Sequence, residues 1–169
     1  MSGFMELAAG RFSARSFTDQ PVEQDKIDKL LEVAQLAPTA HNNQPQRIKV
    51  MTDPAEFELV DEVTPCRFGA PLVFLIAYDK NEVWVRPFDG HNSGEVDASI
   101  VTTHLTLAAH DLGLGSVWVM YFDAQKASEL LSLPDHIVPV ALLPVGYKTE
   151  GCKPSNNHTD RKPITDLLF

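Results

Sequence analysis

Two arginines, Arg11 and Arg15, flank the hydroxyl of Ser13 in the run Arg11-Phe12-Ser13-Ala14-Arg15. Their spacing puts both guanidinium groups on one side of the chain, whether it forms a helical turn or an extended strand. Two planar forks of N–H donors beside a hydroxyl form a clamp for phosphate or a similar oxyanion. Taken alone, the same pair also reads as two solvated surface arginines. A third basic point, Arg161-Lys162, stands far down the chain just before Pro163. A tail that returned to the start of the chain would close the clamp.

The stretch Ala37 to Gln46, APTAHNNQPQ, carries a second kind of chemistry. Thr39, Asn42, Asn43 and Gln44 offer hydroxyl and amide groups that both donate and accept hydrogen bonds. Pro38 and Pro45 restrict the backbone on either side, so less entropy is lost on ordering the segment. Such a loop is suited to lying against a flat polar ring, although by composition it also reads as an ordinary helix-to-strand connection.

Other chemistries lack their signatures. Gly113-Leu114-Gly115 suggests a dinucleotide turn, but the third glycine of that motif would fall at Trp118. The pair also follows a helix and precedes a strand, the reverse of the fingerprint. The six histidines show no HxxxH spacing and no CxxC accompanies them, which argues against a metal centre. Neither Cys66 nor Cys152 sits in a nucleophile motif and no GxSxG occurs, so hydrolysis by a nucleophilic side chain is not expected.

Charge and length bound the rest. A net charge of −9 over 169 residues disfavours nucleic acid or an anionic membrane as partner, since either would want a basic face. No apolar run approaches the roughly 20 residues of a membrane span. The start of the chain lacks a secretory pattern and cysteines are few, which points to a soluble protein of the reducing cytoplasm. The length fits one domain, residues 1–169.

The elements that must position these groups alternate between helices and short strands. Val22 to Leu36 has Ile27, Leu30, Leu31 and Ala34 at helical spacing between Pro21 and Pro38, which predicts an amphipathic helix. Gln46 to Met51 reads as a strand, and Asp53-Pro54 opens a helix to about Val63. Pro71 to Tyr78 is a continuous apolar run, hence a central strand, and Glu82 to Asn92 reads as irregular and exposed. From Ser93 to Leu112 the pattern is apolar on most sides, as in a helix buried in a core or against another subunit. Gly113 ends it; Gly115 to Phe122 reads as a second core strand, Asp123 to Leu131 as a capped helix, and Val138 to Val145 as a third strand. Helices outside apolar strands make a three-layer sandwich, with a parallel or mixed sheet equally open on the residues alone.

Four segments, in order and over essentially the whole length, resemble the nitroreductase family of flavin enzymes: RFSARSF, APTAHNNQPQ, DASIVTTHLTLAAHDLGLGSVWV and LLPVGYKTEGCKPSNNHTDRKPITDLL. The resemblance implies an α+β, three-layer α/β/α sandwich with a central mixed, mostly antiparallel sheet. It implies a homodimer with one FMN at each end of a large interface. By that resemblance Arg11, Phe12, Ser13 and Arg15 hold the phosphate, ribityl chain and pyrimidine edge, and Arg161 completes the phosphate site. Pro38, Thr39, Ala40 and Asn42 would pack on the flavin from the partner subunit. Gly115, Ser116, Trp118 and Val119 would lie along the N5 side of the ring, and the helix Ser93 to Leu112 would be the dimer seam. NAD(P)H would deliver hydride to flavin N5 and a small electron-poor acceptor, a nitroaromatic or quinone, would take it up; no catalytic side chain is required. A flavin-binding protein for storage or sensing, without turnover, is the alternative. His41, Gln46 and Val117 depart from the residues usual at these positions, the first two on the presumed substrate side.

Overall fold

Two strands that are apolar on both faces form the spine of the molecule. The computed structural model describes residues 3–169. In it β2 (Leu72–Asp79) is buried along its whole length and pairs antiparallel with β4 (Ile137–Gly146). A strand with no polar face must be covered on both sides, and it is. β1 (Gln46–Met51) adds to the free edge of β2, and the two-residue β3 (Gly115–Ser116) adds to β4, giving the order β1-β2-β4-β3.

The period-2 alternation of side chains divides the core between the two faces. Leu72, Phe74, Ile76, Leu143 and Val145 point to one face, where they meet Ile27, Leu30 and Ala34 of α2 (Gln24–Leu36) and Ala98, Val101, Leu105 and Ala109 of α4 (Gly94–Asp111). Val73, Leu75, Met51 and Leu142 point to the other, against Val60 and Val63 of α3 (Pro54–Val63) and Ala127 of α5 (Ala124–Leu130). This is the expected α/β/α sandwich. All four strands pair antiparallel, and the mixed character comes from one parallel bridge, Ser13 to Ser116.

The caps read from the sequence form as expected. Asp53 accepts from the amide of Ala55 at 2.8 Å and Asp123 from that of Lys126 at 2.9 Å. Gly113 takes φ +80°, the left-handed conformation in which glycine meets no Cβ penalty. It lets the Leu114 amide turn back to the Ala109 carbonyl at 2.8 Å.

One expectation needs correction. The run Gly115 to Phe122 is not a full strand: only Gly115 and Ser116 form a ladder, followed by a single bridge between Val119 and Leu142. The Val117 amide reaches the Pro144 carbonyl at 3.1 Å, but proline has no N–H to return the bond, so the ladder breaks there. Beyond Val119 the chain leaves the sheet and Met120 and Tyr121 are exposed. One element was not anticipated: α1 (Phe4–Gly10) is a seven-residue helix that buries no residue of its own and so left no core-facing period in the sequence. Among the described residues no helix is long and apolar enough to cross a membrane.

Candidate functional site

The arginine segment runs extended between α1 and α2 and is pinned to the outer edge of the sheet. The Ala14 amide donates to the Ser116 carbonyl at 2.9 Å, Ser13 bridges Ser116, and Phe17 bridges Lys148. Ala14 and Phe17 are buried. In extended chain alternate residues share a side, so with Ala14 turned inward Arg11, Ser13 and Arg15 project together. Gly115 makes the close approach possible: a Cβ there would sit 2.8 Å from Ala14 Cβ and 2.6 Å from Lys148 Cγ.

The tail does return to this place. His158 Nε2 lies 3.1 Å from the Ala9 carbonyl, and the ring of Phe12 meets that of His158 edge-on, with centroids 6.2 Å apart. Arg161 is held by its own turn, donating from Nη1 to the carbonyls of Asn157 at 3.0 Å and Asp160 at 2.8 Å. Arg11, Ser13, Arg15, Asn157, His158 and Arg161 thereby line one hollow of about 170 Å³, with Phe12 in its wall.

The electrostatics of this hollow run against those of the chain. Among the described residues no carboxylate lies within ion-pair distance of Arg11, Arg15 or Arg161, although the net charge is −9. Lys148 adds a fourth positive charge close by, its Nζ 3.1 Å from the Leu114 carbonyl and 6.0 Å from the centre of the Phe12 ring. The accumulated charge reaches His110, whose pKa is lowered first by burial and then by Lys148 and Arg11. Unpaired guanidinium groups facing a common space are a binding site for an anion. Lys148, Asn157 and His158 were not picked out from the sequence; the polar, basic composition of the tail was their only signal.

The loop after α2 is built quite differently and stands elsewhere. Thr39, Ala40 and Asn42 lead into β1, at the opposite edge of the sheet from β3, and none of them lines the arginine hollow. Pro38 and Asn42 are exposed. His41, Asn42 and Gln44 all have positive φ, at 53°, 56° and 52°, a conformation non-glycine side chains adopt only where surroundings enforce it. The enforcing bonds run from the Ala40 amide to Asp97 Oδ1 at 2.9 Å, the Gln44 amide to Thr39 Oγ1 at 3.1 Å, and Asn43 Nδ2 to the Glu82 carbonyl at 3.0 Å.

Each half also contains a buried polar atom without a partner, Nε1 of Trp118 and Oε1 of Gln46. Trp118 follows the arginine-backed β3 and Gln46 follows the loop. Buried polar atoms are nearly always paired, so both halves present unfilled bonding capacity. A further hollow of about 530 Å³ lies where Met120 and Tyr121 meet Thr64 and Pro65, directly after Val119. No group of three or more His, Cys, Asp and Glu side chains that could hold a metal ion occurs among the described residues.

Comparison with known proteins places the sequence and the fold. A family model described as Nitroreductase family covers residues 8–64 and 65–147. A protein of Methanothermobacter thermautotrophicus with the provisional name NADH dehydrogenase/NAD(P)H nitroreductase is 30% identical over an alignment of 160 residues that covers 86% of this chain and 78% of that protein. The FMN reductase [NAD(P)H] of Bacillus subtilis is 30% identical over 156 residues, 82% of this chain, and the match spans only 63% of the Bacillus protein. A crystal structure of a nitroreductase family protein from Clostridium difficile superposes with a TM-score of 0.94 at 39% identity, covering 99% of this chain and 98% of that one. With the sandwich, the arginine strand and the returning tail all in place, the chain belongs to the nitroreductase family.

Proposed function

We propose that the protein is an FMN-dependent oxidoreductase that draws electrons from NAD(P)H and passes them to a small electron-poor acceptor, such as a nitroaromatic or quinone. The observation that carries this reading is the hollow of unpaired cations built from both ends of the chain. Such a hollow suits an anion, and the phosphate of FMN is one. The names of the two relatives at 30% identity, which specify FMN reductase and NAD(P)H nitroreductase activities, support the same cofactor and donor.

The residues fit the group in shape as well as charge. About 170 Å³ is small beside the 300–1,000 Å³ of ordinary ligand pockets, so the hollow suits a phosphate and the start of a ribityl chain. The flat remainder needs a surface, for which Gly115, Ser116, Trp118 and Val119 offer backbone and an unpartnered indole N–H, and it needs a second wall. Pro38, Thr39, Ala40 and Asn42 cannot be that wall within one chain, because they lie at the other sheet edge. They suit it in a homodimer.

Exposed apolar surface supports such a dimer. Val96 on α4 is 51% exposed, and Phe4 and Met5 of α1 and Ile164, Leu167, Leu168 and Phe169 of the tail are exposed as well. Exposed apolar side chains of this kind suit burial against a second subunit. Both cores share one sheet, which supports a single unit spanning residues 1–169. Free Cys66 and Cys152 suit the reducing cytoplasm.

In this reading bound FMN would supply the redox chemistry that links the nicotinamide donor to the acceptor. The chain's own groups bind and tune. Arg11 and Arg161 would hold the phosphate, and Arg15 would place positive charge by the pyrimidine edge, where it would favour electron uptake. The hollow beside Met120 and Tyr121 gives the acceptor a place to dock. No side chain need donate or accept a proton for hydride transfer.

The test is anaerobic addition of NADH, then NADPH, to FMN-loaded protein while the flavin absorbance near ~450 nm is followed. Rapid bleaching by either donor is the expected result. Persistent colour with both would favour a flavin-binding protein without turnover. A protein that takes up no FMN would overturn the whole reading.

A further inference from the structure

Asp97, in the first turn of α4, is a charged side chain in the interior. It is 1% exposed, and among the described residues no Lys, Arg or His pairs with it. A carboxylate so placed is costly unless hydrogen bonds satisfy it. Two do: Ser93 Oγ donates to Oδ2 at 2.7 Å, and the Ala40 amide donates to Oδ1 at 2.9 Å.

Ser93 extends the connection. Its hydroxyl oxygen accepts from the Trp84 amide at 3.2 Å, and its own amide donates to the Trp84 carbonyl at 2.9 Å. The Trp84 ring then stacks on His41, centroids 5.3 Å apart and planes 16° from parallel, and His41 is covalently joined to Ala40. Ala40, Asp97, Ser93, Trp84 and His41 thus form a closed ring of contacts around the strained start of the loop. Three of the loop's residues hold left-handed backbone that they would not adopt unaided, and the charged member of the ring is the only one reaching the loop from the buried helix.

We propose that Asp97 is a positioning residue: its carboxylate, oriented by Ser93, holds residues 39–44 in the shape that receives the flavin. It touches neither cofactor nor substrate and acts through the Ala40 amide. The inference rests on the reading of this loop as the second wall of an FMN site. Asp97 also stands on α4, the helix that would form the seam of the proposed dimer, so the loop is tied to that helix.

The test compares wild type, Asp97→Ala, Asp97→Asn and Ser93→Ala as full-length proteins. It measures FMN affinity by quenching of flavin fluorescence, and hydrogen exchange of residues 39–44 without FMN. Asp97→Ala leaves the half-buried Ala40 amide without its acceptor, so FMN binding should weaken on the order of tenfold, and Ala40 should lose exchange protection. Asp97→Asn keeps a carbonyl for Ala40 and an amide for Ser93 Oγ, and should return affinity to within about threefold of wild type. If Asp97→Ala does not fold, Ser93→Ala, which removes one of the two donors, should still weaken FMN binding and raise loop exchange. Wild type that binds FMN while Asp97→Ala binds it equally well overturns this inference alone. Equal loss of melting temperature in the Ala and Asn variants with unchanged FMN affinity does the same. Wild type that takes up no FMN overturns the cofactor reading, and this inference with it.

Discussion

The amide of Ala14 donates to the carbonyl of Ser116 across 2.9 Å, and through this bond the arginine strand and the glycine turn become one surface. Ala14 is buried, so Arg11, Ser13 and Arg15 face outward together, and Gly115 leaves room for the approach.

Replacing Arg11 by alanine should separate the two ends of the cofactor. A charge-assisted hydrogen bond contributes ~1.5–3 kcal/mol, so FMN binding should weaken roughly ten- to a hundredfold. Riboflavin, which lacks the phosphate, should bind Arg11→Ala within about twofold of wild type. Titration of both flavins at low and high salt checks this, and equal losses for the two would remove Arg11 from the phosphate site.

Arg15 is exposed, and among the described residues its one side-chain hydrogen bond is to the carbonyl of Ser13, at 3.4 Å. Arg15→Ala should weaken FMN binding and lower the potential of the bound flavin, because positive charge beside the pyrimidine edge stabilises added electrons. For a two-electron couple ~30 mV corresponds to ~1.4 kcal/mol, so a shift of that order is measurable by dye equilibration. An unchanged potential would sink the assignment.

Val96 lies on the uncovered side of α4. Val96→Glu puts a charge where an apolar partner face is proposed, and should halve the sedimenting mass. If the second wall comes from the partner, the same variant should lose FMN. A monomer that kept its flavin would show that one chain completes the site.

His110 titrates below its ordinary value of 6.5, chiefly because it is partly buried and also because Lys148 and Arg11 repel its proton. Between that value and the lower folded one, the unfolded chain binds more protons than the folded chain, so stability rises with pH in this window and is lost as pH falls through it. Denaturation midpoints of wild type and His110→Gln should differ by a constant amount above about pH 6.5. Below it the difference should change in favour of the variant, which has no proton to take up. A gap that stays constant down to pH 5 would refute this.

Much of the sandwich was readable because it is local. Asp53 and Asp123 announce their helices through side chains that bond amides two and three residues on. Leu72 to Tyr78 announces a central strand because both of its faces are apolar. The break after Ser116 was not readable in GSVWVMYF, since its cause, the missing N–H of Pro144, lies on the neighbouring strand. Nor was α1, a helix without a buried face.

The residues themselves determined the chemistry: two guanidinium groups four positions apart with a hydroxyl between them, a basic tail, and a loop of amides between prolines. Whether these groups meet depends on chain crossings, and those only the tertiary structure decided. Long-range packing brought Arg161 to Arg11 and Arg15 by seating His158 against Ala9 and Phe12. The order of the strands separated the loop from the clamp, because β1 and β3 are the two edges of one sheet. Asp97 joined the loop to the helix across the core, a contact that spacing along the chain does not encode.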